Sequence, residues 1–111
     1  MPAPARYMYF ITTIGIRKDG TIHDRTIGMY KSYRKAKKRI MQNTCDMFEQ
    51  GYYKYALIVK VKEGIYPAPD YLYKSNKIVY FRHNSWTNEV YPLKNKPLEL
   101  EEKNYRVYII G

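Results

Sequence analysis

The sequence predicts an α+β domain: one antiparallel or mixed β-sheet of about five to six strands, with one main amphipathic helix packed on a face. Three observations carry this prediction. Segments of aromatic and β-branched residues recur along the chain with the period-2 alternation of strands. One stretch, Tyr33 to Phe48, places apolar residues at helical spacing. The length of 111 residues fits one domain, 1–111, and leaves no room for two.

The elements follow in order. Residues 1–5 (Met-Pro-Ala-Pro-Ala) are a short tail expected to fray. Tyr7 to Ile16 reads as a strand with Met8, Phe10, Thr12, Ile14 and Ile16 on one side. Lys18-Asp19-Gly20 carries a turn signal, and Arg25 to Tyr30 reads as the hairpin partner. Ser32 suits the N-cap of a helix opening at Tyr33. Its apolar stripe runs through Ala36, Ile40, Met41, Thr44, Met47 and Phe48, with Lys37 in the same stripe. Arg34, Lys35, Lys38 and Arg39 lie opposite, the pattern weakens near Asn43-Thr44, and Gly51 is a natural stop.

Tyr52 to Lys62 is the clearest strand. Tyr53, Tyr55, Leu57, Val59 and Val61 share one side. The other side (Lys54, Ala56, Ile58, Lys60, Lys62) reads as half exposed and basic. After a Pro-stiffened loop at 64–70, Tyr71–Tyr73 and Lys77–His83 are strand-like, Asn84 to Asn88 is a turn, and Glu89–Tyr91 is a short strand. Residues 95–104 form a polar connector with room for a helical turn, and Tyr105 to Ile110 closes the chain as a strand expected inside the sheet.

Charge narrows the function. Twenty Lys and Arg against ten Asp and Glu give a formal net charge of +10, which attracts anions. Ten cations fall within the first 45 residues, beside only Asp19 and Asp24. Tyrosine is abundant, with 14 Tyr against 3 Phe and 1 Trp, and its polar tip suits sheets and interfaces alike. The single cysteine, Cys45, excludes an intrachain disulfide and agrees with a reducing cytoplasm. The sequence predicts neither a signal peptide nor a membrane helix.

No catalytic machinery is legible, so no enzyme is predicted. Cys45 has only His23 and His83 as imidazole partners, and no nucleophile elbow, Walker loop or dinucleotide fingerprint occurs. Two separated histidines and one cysteine do not make a zinc set, and no metal or cofactor is expected. The dense cationic helix face reads first as solvated surface. A phosphate site needs convergent arginines, whose planar forks grip phosphate oxygens in pairs. Arg25, beside the Thr26 hydroxyl, together with Arg82 and Arg106, sits on predicted strands among aromatic residues. Tyr80, Phe81 and Trp86 are the candidate stacking rings, and Asn84 and Asn88 can read base edges. These are the minimum parts of a site for a small anionic nucleotide, which prefers a closed pocket, while a long polyanion prefers the extended basic stripe of the helix. A protein-contact role for the Tyr-rich sheet and a nucleic-acid-binding role for the helix are the alternatives.

Several segments carry a resemblance: Arg25-Thr26-Ile27-Gly28, Asn43 to Glu49, Tyr52 to Ile58, Glu63 to Pro67, Tyr80-Phe81-Arg82, and Ile109-Ile110-Gly111. In this order the chain resembles the phage Thoeris anti-defence sponge proteins of the first-described type, and related small phage and bacterial proteins. The resemblance implies sequestration, without cleavage, of cyclic ADP-ribose-type immune signals in the host cytoplasm. It also implies homo-oligomers with ligand sites between protomers, some members taking cyclic oligonucleotides as well. Lys60 and Lys62, where the family usually has acids, and the lysine-rich helix depart from the pattern and point toward a different anion.

Overall fold

A ladder of five antiparallel strands, in the order β2-β1-β3-β4-β5, forms the frame of the computed structural model, which describes residues 7–62 and 78–100. β1 (Tyr7–Ile16) and β2 (Ile22–Tyr30) are a hairpin. Its turn is held by Asp19, whose Oδ1 accepts from the Thr21 backbone N–H (2.9 Å) and hydroxyl (2.7 Å). Those bonds, the hydroxyl's first, hold the Asp19 carboxyl below its ordinary range. Gly20 takes the positive φ of 87° that the turn needs. β2 carries a bulge: Ile11 faces Gly28 and Thr12 faces Thr26, so Ile27 has no partner on β1.

α1 (Tyr33–Met41) starts where Ser32 accepts the Lys35 N–H. It stops well short of the predicted Phe48. The reason is Asn43, which adopts a left-handed conformation (φ 47°) and whose side-chain oxygen accepts the Phe48 N–H. An Asn side chain thus replaces the helical ladder as backbone partner. Thr44, Met47 and Phe48 therefore belong to the following loop. Ala36 and Ile40 are the buried residues of α1, and Lys37, placed in the apolar stripe by periodicity, is exposed.

β3 (Tyr55–Lys62) is the central strand, flanked by β1 and β4 (Ile78–Asn84), and β5 (Glu89–Leu93) lies beyond β4, outermost among the described strands. One side of β3 was expected to be half exposed, yet Ala56 and Ile58 are fully buried there. They join Ile11, Ala36, Ile40, Phe48 and Phe81 in one apolar cluster. On the opposite face Ile14, Tyr55, Leu57, Val59, Tyr80 and Leu100 form a second. A central strand buried on both sides reads as a near-continuous apolar run, and Tyr55–Val59 is one. Leu100 arrives from a short 3-10 turn, Leu98–Leu100. The predicted strands at 71–73 and 105–110 lie outside the described residues. Among those described, no helix is long and apolar enough to cross a membrane.

Candidate ligand-binding site

The sheet separates the arginines that the sequence suggested as partners. Arg25 pairs with Thr13 on β1, and its side chain lines a cavity on the α1 side of the sheet. Arg82 pairs with Tyr55 and Tyr91 and belongs to the other face. Three interstrand steps lie between β2 and β4, about 14 Å at ~4.8 Å per step. One phosphate within one protomer cannot meet both guanidiniums. Arg106 lies outside the described residues.

Arg82 and Trp86 do come together. With Lys54, Tyr52, Asn84 and Ser85 they line a cavity of about 300 Å³ at the end of the sheet. Its geometry follows from the β4–β5 hairpin. Asn84 Oδ1 accepts the Trp86 N–H (2.9 Å) and the Thr87 N–H (3.4 Å), closing the turn and projecting the indole. Trp86 is 96% exposed, and Tyr52 is also exposed. A fully solvated indole gains nothing from the core, so its ring face is open to a planar partner. Lys54 was read from the sequence as part of a strand. It instead precedes β3, with its N–H donating to Ile14 O and its C=O accepting from His83 N. That junction places Lys54 in the wall of the same cavity as Arg82.

Glu99 balances this cation pair. Its Oε1 lies 2.6 Å from Lys54 Nζ and accepts a hydrogen bond from the buried Tyr55 hydroxyl. Burial alone would raise the Glu99 carboxyl. The Lys54 and Tyr55 hydrogen bonds and the Lys54 and Arg82 charges outweigh it and hold the group below its ordinary range. Burial, then Glu99 itself, pushes the Tyr55 phenol strongly up. Arg82, Lys54 and Glu99 together leave a net charge of +1 beside the cavity. The sequence places position 99 only within the polar connector 95–104, because no local pattern links it to 54 and 55.

The remaining suggested residues serve the scaffold. Phe81 is fully buried in the α1-side cluster, and Tyr80 is buried on the other face, so neither ring is open to a ligand in this arrangement. The Thr26 hydroxyl bonds the Thr12 hydroxyl at 2.9 Å. Asn88 takes a left-handed φ of 62°, and its Oδ1 accepts from His83 Nε2 (2.8 Å) and Asn43 Nδ2 (3.2 Å). It ties the hairpin to the loop after α1. Among the described residues, no group of three or more His, Cys, Asp or Glu converges to hold a metal ion. Comparison with protein-family models, with curated proteins and with solved structures returns no match.

Proposed function

We propose that this protein is a non-catalytic binder that sequesters a small anionic nucleotide, with Arg82 and Lys54 on phosphate and Trp86 on the base. One observation carries the reading: two cations and the exposed rings of Trp86 and Tyr52 line a single cavity. An arginine fork, an ammonium and an open indole are the parts that a phosphate joined to a heterocycle requires. The volume of about 300 Å³ is at the small end of ligand pockets, so a larger cyclic nucleotide would extend beyond it. That favours a homo-oligomer in which a second protomer completes the enclosure. The resemblance to phage anti-defence sponges supplies the class of signal, cyclic ADP-ribose-type or a cyclic oligonucleotide, and the host cytoplasm as the place.

Calorimetric titration with cyclic nucleotides and ADP-ribose isomers tests the reading. Trp86, the only tryptophan, gives a fluorescence signal from within the cavity. Saturable heat with quenched Trp86 emission is expected, followed by recovery of intact ligand on denaturation. Absence of heat across the panel, or recovery of a cleaved product, would overturn it.

A second reading rests on α1. In this reading the helix is an amphipathic cover, with Ala36 and Ile40 inward and Arg34, Lys35, Lys37, Lys38 and Arg39 exposed. No acid occupies its first turn. Such a stripe suits a nucleic-acid backbone, and it predicts binding that weakens steeply with salt.

A further inference from the structure

The cavity that Arg25 lines lies on the α1 side of the sheet, whereas the one at Trp86 lies at the sheet's end, and the two are of similar size, about 300 Å³. Arg25 reaches it from β2 and Arg39 from the last turn of α1, while Asp46 and Glu49 come from the loop between α1 and β3. Among the described residues neither guanidinium makes an ion pair, although two carboxylates share the cavity. The two arginines thus offer ten N–H donors with no ion-pair partner among the described residues. Asp46 and Glu49, acceptors only when ionised, offer the complementary chemistry.

The walls are built at conformational cost. Asn43, Cys45, Asp46, Glu49 and Gln50 all have positive φ, between 46° and 57°. A non-glycine residue in this region is strained, Asn and Asp least, and persists only where its surroundings hold it. Here they do. Asp46 Oδ1 accepts from Asn43 Nδ2 (3.2 Å) and from the Gln50 N–H (3.3 Å), and Asn43 is clamped to Asn88. Across the cavity, the β2 bulge at Ile27 interrupts the ladder next to Arg25. Bulges and held left-handed residues both recur where a fold re-aims side chains toward a ligand.

We propose that this cavity is a second site, independent of the one at Trp86, for a small hydroxylated organic phosphate. The phosphate sits between Arg25 and Arg39, and the hydroxyls donate to Glu49 and Asp46. A polyphosphate without hydroxyls leaves the carboxylates facing like charge, and a neutral sugar leaves the guanidiniums unused. The matched ligand is of sugar-phosphate type.

Cys45 reports on it directly, being the only cysteine, exposed, and part of the cavity wall. The experiment is alkylation of Cys45 by iodoacetamide in the full chain at constant ionic strength, with ribose 5-phosphate, inorganic phosphate or ribose as the probe. Ribose 5-phosphate is expected to slow alkylation saturably, inorganic phosphate at least ~10-fold less effectively, and ribose not at all, following the strength of charge-assisted bonds. Arg39→Gln alters an exposed helix position and should weaken protection ~10-fold or more, as should Arg25→Gln. Trp86 emission should not change. Protection that survives both substitutions, no protection up to ~10 mM, where a site with a Kd in the low millimolar range is mostly occupied, or a response at Trp86 with Cys45 still reactive would overturn the proposal.

Discussion

Replacing Glu99 with Gln should make the protein less stable and, in the proposed function, its binding of a nucleotide tighter. The two signs follow from one set of contacts. Glu99 accepts from the hydroxyl of Tyr55, a residue only 4% exposed, and pairs with Lys54 at 2.6 Å across side chains 38% and 39% exposed. The hydrogen bond to a charged acceptor contributes about 1.5–3 kcal/mol, and a neutral one about 0.5–1.5. Gln keeps the neutral bond, so that term falls by about 1 kcal/mol. The half-exposed ion pair adds about 0.5 kcal/mol after solvent screening. The expected loss is therefore about 1.5 kcal/mol, a fall in Tm of roughly 6 °C for a domain of this size. Binding moves the other way. A ligand phosphate about 6 Å from Glu99 is repelled by about 0.7 kcal/mol in water and 2.8 at an effective dielectric of 20, so relief amounts to roughly tenfold in affinity. The pH dependence follows as well. A carboxyl held low in the fold contributes stability that is complete above its ordinary value of 4.5 and is lost as pH falls through the lowered value. Wild type should lose this increment on acidification and E99Q should have none to lose. Thermal unfolding between pH 7 and 3, with titration at pH 7, reads all three effects. Unchanged stability together with unchanged or weaker binding would refute the assignment of Glu99 to the Lys54 and Tyr55 contacts.

Three further expectations are independent of any ligand, and a fourth concerns nucleic acid. A methyl at Gly15 would overlap the His23 imidazole, whose Nε2 is hydrogen-bonded to Tyr52 O, so Gly15→Ala should cost about 1–3 kcal/mol by denaturant unfolding. Phe48→Ala opens the α1-side core and removes the ring stacked on His83 at 4.7 Å, for about 3–5 kcal/mol in the same assay. Asn88→Ala strands His83 Nε2 in a buried position and releases Asn43; a loss of about 1–3 kcal/mol is expected, with faster amide exchange across residues 43–50. If α1 engages nucleic acid, replacing Lys35 and Lys38 with Gln should reduce the salt dependence of binding by roughly two phosphate contacts, and a flat salt response in the wild type excludes that mode.

Local chemistry explains which parts of the molecule the sequence made legible. β1, the Ser32 cap, and the β4–β5 hairpin are written in alternation, capping and turn residues within a few positions, and they appear as read. The end of α1 was misjudged because apolar spacing continues through Met47 and Phe48 while Asn43 redirects the backbone. β3 looked half exposed because Lys54, Lys60 and Lys62 flank Ala56 and Ile58, yet a central strand buries whatever is small and apolar. The site was harder still. Arg82 and Trp86 are four residues apart, so the hairpin could be read as bringing them together. Lys54, Tyr52 and Glu99 join them only through tertiary pairing. Arg25 was grouped with Arg82 by residue type, and strand order alone assigns the two to different cavities.

The central claim is that Arg82 and Trp86 form one nucleotide site. Titration of wild type, Arg82→Gln and Trp86→Ala with the same panel of cyclic nucleotides and ADP-ribose isomers tests it most directly. Both residues are exposed, so neither change should disturb folding. The account predicts saturable binding in wild type, a loss of ~10-fold or more without the guanidinium, and ~5-fold or more without the indole. Wild-type binding that neither substitution weakens, or no binding by wild type to any member of the panel, would contradict it.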